Sequence, residues 1–249
     1  MKTSVKACWV PLLSFGLLLG AQPAVHAQQS VDLIMDNFTS SVLSQTTTLL
    51  ANNAIEASVR NANRSKGASG RTSTATKATS TTYSPSATAR QQALAAQNEG
   101  KPAAAAQQFT AAFGPGGTTD YTTLYRQLLS GSGLRENDVA DAYAAYLVAT
   151  YQVAHGAVPG EALLPAGKSG AVRTQLAPAV RRSLAGKPAT TAAALGEYMK
   201  LQTALLYVGS QGAPNTQPAF RRNVASTLQR RFGLDVNALT LTNQGFARK

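Results

Sequence analysis

Apolar positions divide this chain into three unequal zones. The first is a mostly apolar run over residues 10–20, with Leu12, Leu13, Phe15, Leu17, Leu18 and Leu19. Lys2 and Lys6 precede it and Val25-His26-Ala27 follow it. A positive start, a short apolar stretch and small residues at the −3 and −1 positions of a break form the pattern of a secretory leader, cut after Ala27. The run is shorter than the roughly 18–20 residues a spanning helix needs, and Gln22 and Pro23 break it. The pattern therefore predicts a cleaved signal peptide over residues 1–27 and no transmembrane segment after cleavage.

The second zone is sparse. Leu33, Ile34, Phe38, Val42, Leu49, Leu50 and Ile55 recur at weakly helical spacing over residues 31–62, and Thr46-Thr47-Thr48 lies in their midst. β-Branched residues weaken helix propensity. Residues 28–62 thus predict one long or two short helices with too few apolar side chains to form a core alone. Over residues 63–82 the composition turns to Ser, Thr, Ala and Gly around Arg64, Lys66, Arg71 and Lys77, with no aromatic or large aliphatic residue. Such a stretch cannot offset its ordering entropy by burying apolar surface, and it predicts a disordered basic linker.

From residue 83 to 249 the apolar spacing is helical almost throughout. Residues 87–97 form a helix capped by Ser86 and ended by Asn98 and Gly100; Pro102 opens a second that runs to 113. Further helices are predicted over residues 120–129, 137–155, 169–184, 190–209 and 217–232. Asn137 caps the fourth and Pro178 kinks the fifth. Leu239 and Leu241 alternate with Thr240 and Thr242, which predicts a short strand or an extended lid. The fold class is all-α: a single bundle of six or seven helices with a short C-terminal strand, preceded by the linker.

The helix over residues 137–155 is apolar almost all round, the mark of a helix through the middle of a bundle. Tyr143, Tyr146 and Tyr151 should each find a partner for the hydroxyl there. An aromatic platform for a sugar is the sharper reading of the same three tyrosines. Asp138 and Asp141 lie in the first turn, where carboxylates cap the helix and favour its dipole. His155 lies in the last turn. It is roughly 21 Å along the axis from Asp141, too far for a dyad, and fits interaction with the C-terminal carbonyls.

Composition removes several chemistries. Cleavage after Ala27 takes Cys8 and His26, leaving no cysteine and one histidine. No disulfide framework, thiolate nucleophile or zinc site can be built from that inventory. No phosphate-binding loop, dinucleotide fingerprint or nucleophile elbow is present, and no cofactor or metal is predicted. The formal charge is +12, or +10 without Lys2 and Lys6, which draws the chain to anionic partners. Arg181-Arg182, Arg221-Arg222 and Arg230-Arg231 invite a nucleic-acid reading. On a helical wheel, however, Arg222 and Arg230 lie about 80° apart, away from the apolar side, and Arg221 and Arg231 flank the apolar face. They form no single stripe, which argues against specific nucleic-acid binding.

Two stretches are similar to an uncharacterised family of small exported proteobacterial helical proteins, a domain of unknown function. One is Gly133-Leu-Arg-Glu-Asn-Asp-Val-Ala-Asp-Ala-Tyr143, running on to Ala154-His155-Gly156. The other is Gly233-Leu234-Asp235 with Leu239-Thr240-Leu241-Thr242 and Gly245-Phe246. The resemblance covers residues 83–246 and leaves the linker and residues 31–62 outside. It implies an exported helical protein and brings no catalytic residue.

The expected function is that of a non-enzymatic binding or interaction protein of the cell envelope, periplasmic or secreted. Its partner is expected among anionic envelope components or other envelope proteins, with Tyr143, Tyr146, Tyr151, Arg222 and Arg230 as candidate binding residues. One alternative is a small-molecule carrier with an interhelical pocket, marked by an apolar cavity beside Tyr146. Another is a carboxylate-based envelope hydrolase drawing on Asp120, Glu136, Asp138, Asp141, Glu161 and Glu197.

Overall fold

The computed structural model describes residues 80–157, 162–212, 214–232 and 234–249. The predicted leader with its expected cleavage after Ala27, the segment over 28–62, the predicted linker up to residue 79, and Glu161 lie outside the described residues.

Seven helices and a hairpin make up the rest. They are α1 Ala87–Gln97, α2 Ala103–Phe113, α3 Tyr121–Leu129, α4 Val139–Ala154, α5 Lys168–Leu184, α6 Ala189–Ser210 and α7 Gln217–Phe232, then a 3₁₀ turn Val236–Ala238 and strands β1 Leu239–Thr242 and β2 Gly245–Arg248. The caps explain the starts. Ser86 accepts from the Ala89 N–H at the head of α1, and Asp120 accepts from Thr122 and Thr123 at the head of α3. The cap of α4 is Asp138, not Asn137: its carboxylate accepts from the N–H groups of Ala140 and Asp141. Asn137 is occupied elsewhere, accepting from Lys200.

α4 and α6 form the central pair. α5 and α7 pack against α4, and α1 and α3 against α6. Every α4 residue but Tyr151, Gln152 and Ala154 is buried, as its all-round apolar pattern requires. Close approach to α6 depends on glycine. A Cβ on Gly209 would stand 2.2 Å from the Phe220 ring of α7, and one on Gly196 would stand 2.2 Å from the Tyr83 ring.

α5 runs through Pro178 unbroken. Proline leaves the carbonyl four residues earlier without its helical partner. That carbonyl belongs to Thr174, and both residues are exposed, so water can serve it. The tail is a hairpin rather than one strand. β1 and β2 pair antiparallel, with Leu241 opposite Phe246 and a two-residue turn at Asn243-Gln244. The Gln175 amide of α5 holds the hairpin, donating to the Phe246 carbonyl and accepting from its N–H. Leu239, Leu241 and Phe246 are buried. Among the described residues no helix is long and apolar enough to cross a membrane.

Candidate functional site

The structure does not gather the residues that the sequence singles out. Tyr143 and Tyr146 are buried inside the α4 layer, whereas Tyr151 is half-buried at the far end of the helix, stacked on His155 at 4.0 Å and tilted against Phe246. Arg222 and Arg230 are exposed on α7, as the wheel placed them. The expectation of a hydroxyl partner fails at Tyr143, whose buried oxygen makes no hydrogen bond among the described residues. Burial raises its pKa well above the ordinary tyrosine value, and the neighbouring Tyr146 and Tyr198 add to the shift. An orphan hydroxyl costs about 1–3 kcal/mol, which burial of an aromatic ring, about 1.5–3 kcal/mol, can match. His155 is the C-cap of α4, its Nδ1 3.0 Å from the Tyr151 carbonyl.

What the fold does assemble is a buried charge network at the head of α4. Its first half is on α6. Glu197 and Lys200, one turn apart, are both fully buried, with Nζ 2.7 Å from Oε1. Tyr121 donates to Glu197 Oε2 at 2.8 Å and Tyr83 to Oε1 at 3.2 Å; Lys200 also donates to Asn137 Oδ1 at 2.7 Å. Arg90 Nε stands 3.9 Å from Glu197 Oε2. Gly196 makes this possible, because the Tyr83 ring occupies the space a Cβ would need.

The second half is built on the α4 cap. Arg135 donates to Asp138 Oδ2 at 2.6 Å and to Asp141 Oδ2 at 2.7 Å, and Arg173 of α5 donates to Asp141 Oδ1 at 2.9 Å. Thr81 adds its hydroxyl to Asp138 Oδ2 at 2.7 Å. A strap over residues 81–83 joins the two halves. Its Tyr83 N–H donates to the Asn137 carbonyl at 3.1 Å, and its Thr81 carbonyl accepts from Val139 at 2.8 Å. Thr81 and Thr82, read from composition as the end of a linker, thus belong to the helical unit. The composition argument weighed apolar area alone, and this stretch is held by hydrogen bonds.

Burial pulls the Lys200 pKa below the ordinary lysine value, and Glu197 opposes that pull. Burial raises Tyr83 and Tyr121 far above the ordinary phenol value, and Glu197 adds to both. Both hydroxyls therefore remain protonated donors. Arg90 Nε and the Tyr125 hydroxyl are buried here without a hydrogen-bond partner among the described residues. Chemically, the network pairs every carboxylate it contains with a cation and locks the strap, α4, α5 and α6 to one another. The sequence marked Asp138 and Asp141 for capping but missed Arg135, Arg173 and the Glu197–Lys200 pair. The available signal was two opposite charges one turn apart in an otherwise apolar helix.

A smaller acidic contact is open to titration. The Arg126 guanidinium, bonded to Glu136 at 3.1 Å, is the largest of the causes holding that carboxyl below the ordinary 4.5. A depressed carboxyl stabilises the fold above its unfolded value and loses that contribution as pH falls through the folded one. Glu136→Gln is therefore expected to lower the urea midpoint near neutrality and to match the parent chain in strong acid. A gap that persists in acid would assign the effect to packing rather than charge.

An all-helical bundle built on a sealed charge network is the class of protein that the geometry defines. The chain belongs to a family of unknown function, DUF6683, whose match runs over residues 12–248. That span reaches well ahead of residue 83 and takes in the segments that the resemblance had left outside. No curated protein and no solved structure matches the chain.

Proposed function

We propose that the protein is an exported, non-enzymatic binding protein of the cell envelope, drawn to an anionic partner by its outward-facing cations. One observation supports this reading: the way the fold sorts charge. Asp138, Asp141 and Glu197 are buried and ion-paired, and Glu136 is paired with Arg126. Arg181, Arg182, Lys187, Arg222 and Arg230 are exposed, with no carboxylate in ion-pair range among the described residues. The interior acids take Arg135, Arg173 and Lys200 as their partners, so these five exposed cations face water with no carboxylate beside them, and such a surface steers toward anions. Two surface concavities among the described residues, of about 410 and 390 Å³, are lined neither by Tyr146 nor by a pair of carboxylates, so neither gives support to the carrier or hydrolase reading.

The test is co-sedimentation with vesicles of anionic phospholipid. The chain is expected to bind at low ionic strength, to release as salt screens the attraction, and to ignore neutral vesicles. With about 1 kcal/mol per basic residue near such a surface, Arg222→Glu with Arg230→Glu should weaken binding at least about tenfold. Salt-insensitive recovery in the supernatant, or unchanged binding by the double variant, would reject the reading.

A further inference from the structure

Among the described residues the strap leaves part of one edge unpaired, and that edge lines a groove. Thr82 pairs with Asp138 as an isolated antiparallel bridge, and the bonds that make it come from Thr81 and Tyr83 on either side. In such a pair the central residue's own N–H and C=O point to the opposite edge. Thr81 turns inward to Asp138, and the Tyr83 hydroxyl reaches Glu197, while Tyr83 also borders, with Ser80, Thr82 and Ser84, a surface groove of about 410 Å³. The Thr82 N–H is taken by Ser80 Oγ at 3.2 Å. The Thr82 carbonyl and the Ser84 N–H make no hydrogen bond among the described residues. An acceptor and a donor two residues apart on one edge are what a single residue of an added parallel strand engages.

The far wall of the groove is the α5–α6 turn. Leu184 and Ala193 supply buried apolar surface there, and Lys187 stands exposed at the rim. No carboxylate lines the groove. The first turn of α6 opens at the same end, behind Pro188, which provides no side-chain cap. Its N–H groups add partial positive charge to that of Lys187.

We infer that this groove receives an extended acidic peptide segment of a partner protein, added as a strand to the Thr82–Ser84 edge. The backbone edge supplies main-chain hydrogen bonds, the apolar wall takes alternate side chains, and Lys187 selects acidic neighbours. This is strand addition with side-chain pockets for specificity. The inference concerns a different surface from the α7 arginines and stands whether or not those bind an envelope.

The probe is a fluorescein-labelled peptide alternating valine with aspartate and glutamate, measured by anisotropy on the full chain. Its control replaces every acid by the matching amide. The acidic peptide is expected to bind, and the amide control at least about tenfold more weakly. Lys187→Glu in the turn and Thr190→Trp in the first turn of α6, both exposed, should each lose about tenfold or more, whereas Arg248→Glu, exposed on β2, should not change the affinity. Circular dichroism confirms that each variant is folded. Equal binding of acid and amide peptides, or no binding at millimolar peptide, overturns the proposal. Equal losses in Arg248→Glu and Lys187→Glu would also overturn it, because diffuse surface charge would then be the cause. Cross-linking of the groove to a second copy in preference to the peptide assigns the edge to self-association and equally overturns it.

Discussion

Lys200→Met is expected to destabilise the helical unit by about 3–5 kcal/mol, the range for removing one partner of a buried ion pair. The ammonium is fully buried, 2.7 Å from Glu197 and 2.7 Å from Asn137 Oδ1. Without it, Glu197 keeps two tyrosine hydroxyls but loses its closest cation, and Arg90 is left as the remaining one at 3.9 Å. The loss therefore lies in an uncompensated carboxylate, not in missing apolar contact, since methionine fills much of the same volume. A second substitution separates the two. Glu197→Gln added to Lys200→Met removes the stranded charge and keeps an oxygen for Tyr121, so it should restore more than half of what the single change loses. The readout is the guanidinium midpoint at an unchanged slope. A single variant within about 1 kcal/mol of the parent would show that the pair adds little; a double variant worse than the single would show that the carboxylate itself, rather than its balance, holds the tyrosines.

That pair also shows where sequence reasoning stops. Helix positions were legible because each helix announces itself locally. Ser86, Asp120 and Asp138 cap their own chain within three residues, and the uniform apolarity of α4 foretells a central helix. The α7 wheel held for the same reason: Arg222 and Arg230 are exposed because Phe220, Val224 and Leu228 bury the other face. Partners that lie far apart in sequence were not legible. Tyr121 reaches Glu197 across 76 positions, Arg173 reaches Asp141 across 32, and Thr81 reaches Asp138 across 57. No periodicity encodes those distances. The strap escaped detection because hydrogen bonds, not hydrophobicity, hold it, and the hairpin escaped because β2 carries a single large apolar residue, Phe246.

Charge sorting links the network to the surface. Three carboxylates that would otherwise neutralise exposed arginines are withdrawn into the interior, so the cations that balance them are withdrawn too, and Lys168, Arg181, Arg182, Lys187, Arg221, Arg222 and Arg248 are left without ion pairs among the described residues. A substitution that releases an interior carboxylate should therefore alter the outer field only weakly, because its partner is released with it. Stability and anion binding are expected to respond to different residues.

Asp138→Ala should be the most damaging change outside α6, at about 2–5 kcal/mol from a lost cap and a stranded hydroxyl together. This carboxylate performs three tasks at once. It caps α4 through the N–H groups of Ala140 and Asp141, pairs with Arg135 at 2.6 Å, and accepts from Thr81 at 2.7 Å. A lost cap costs about 0.5–2 kcal/mol, and the Thr81 hydroxyl, buried beside it, would be left with no acceptor, at about 1–3 kcal/mol. Asp138→Asn tests the division. Asparagine caps as well as aspartate with its single oxygen in the Oδ1 place. Its NH2 then stands at Oδ2, where it can donate to the Thr81 hydroxyl but accepts nothing from Arg135. It should thus lose only the bond and charge against Arg135, whose side chain is about half exposed at 52% and screened accordingly. The expected order is therefore a large loss for alanine and a loss near 1 kcal/mol for asparagine. Thr81→Val should be costly alone but restore part of the loss on top of Asp138→Ala, since there it removes the stranded hydroxyl. Hydrogen exchange at the Tyr83 and Val139 amides reads the strap directly: both should lose protection in Asp138→Ala and keep it in Asp138→Asn. Equal damage from alanine and asparagine would mean that the Arg135 charge, and not the cap or the strap, is what this end of α4 depends on.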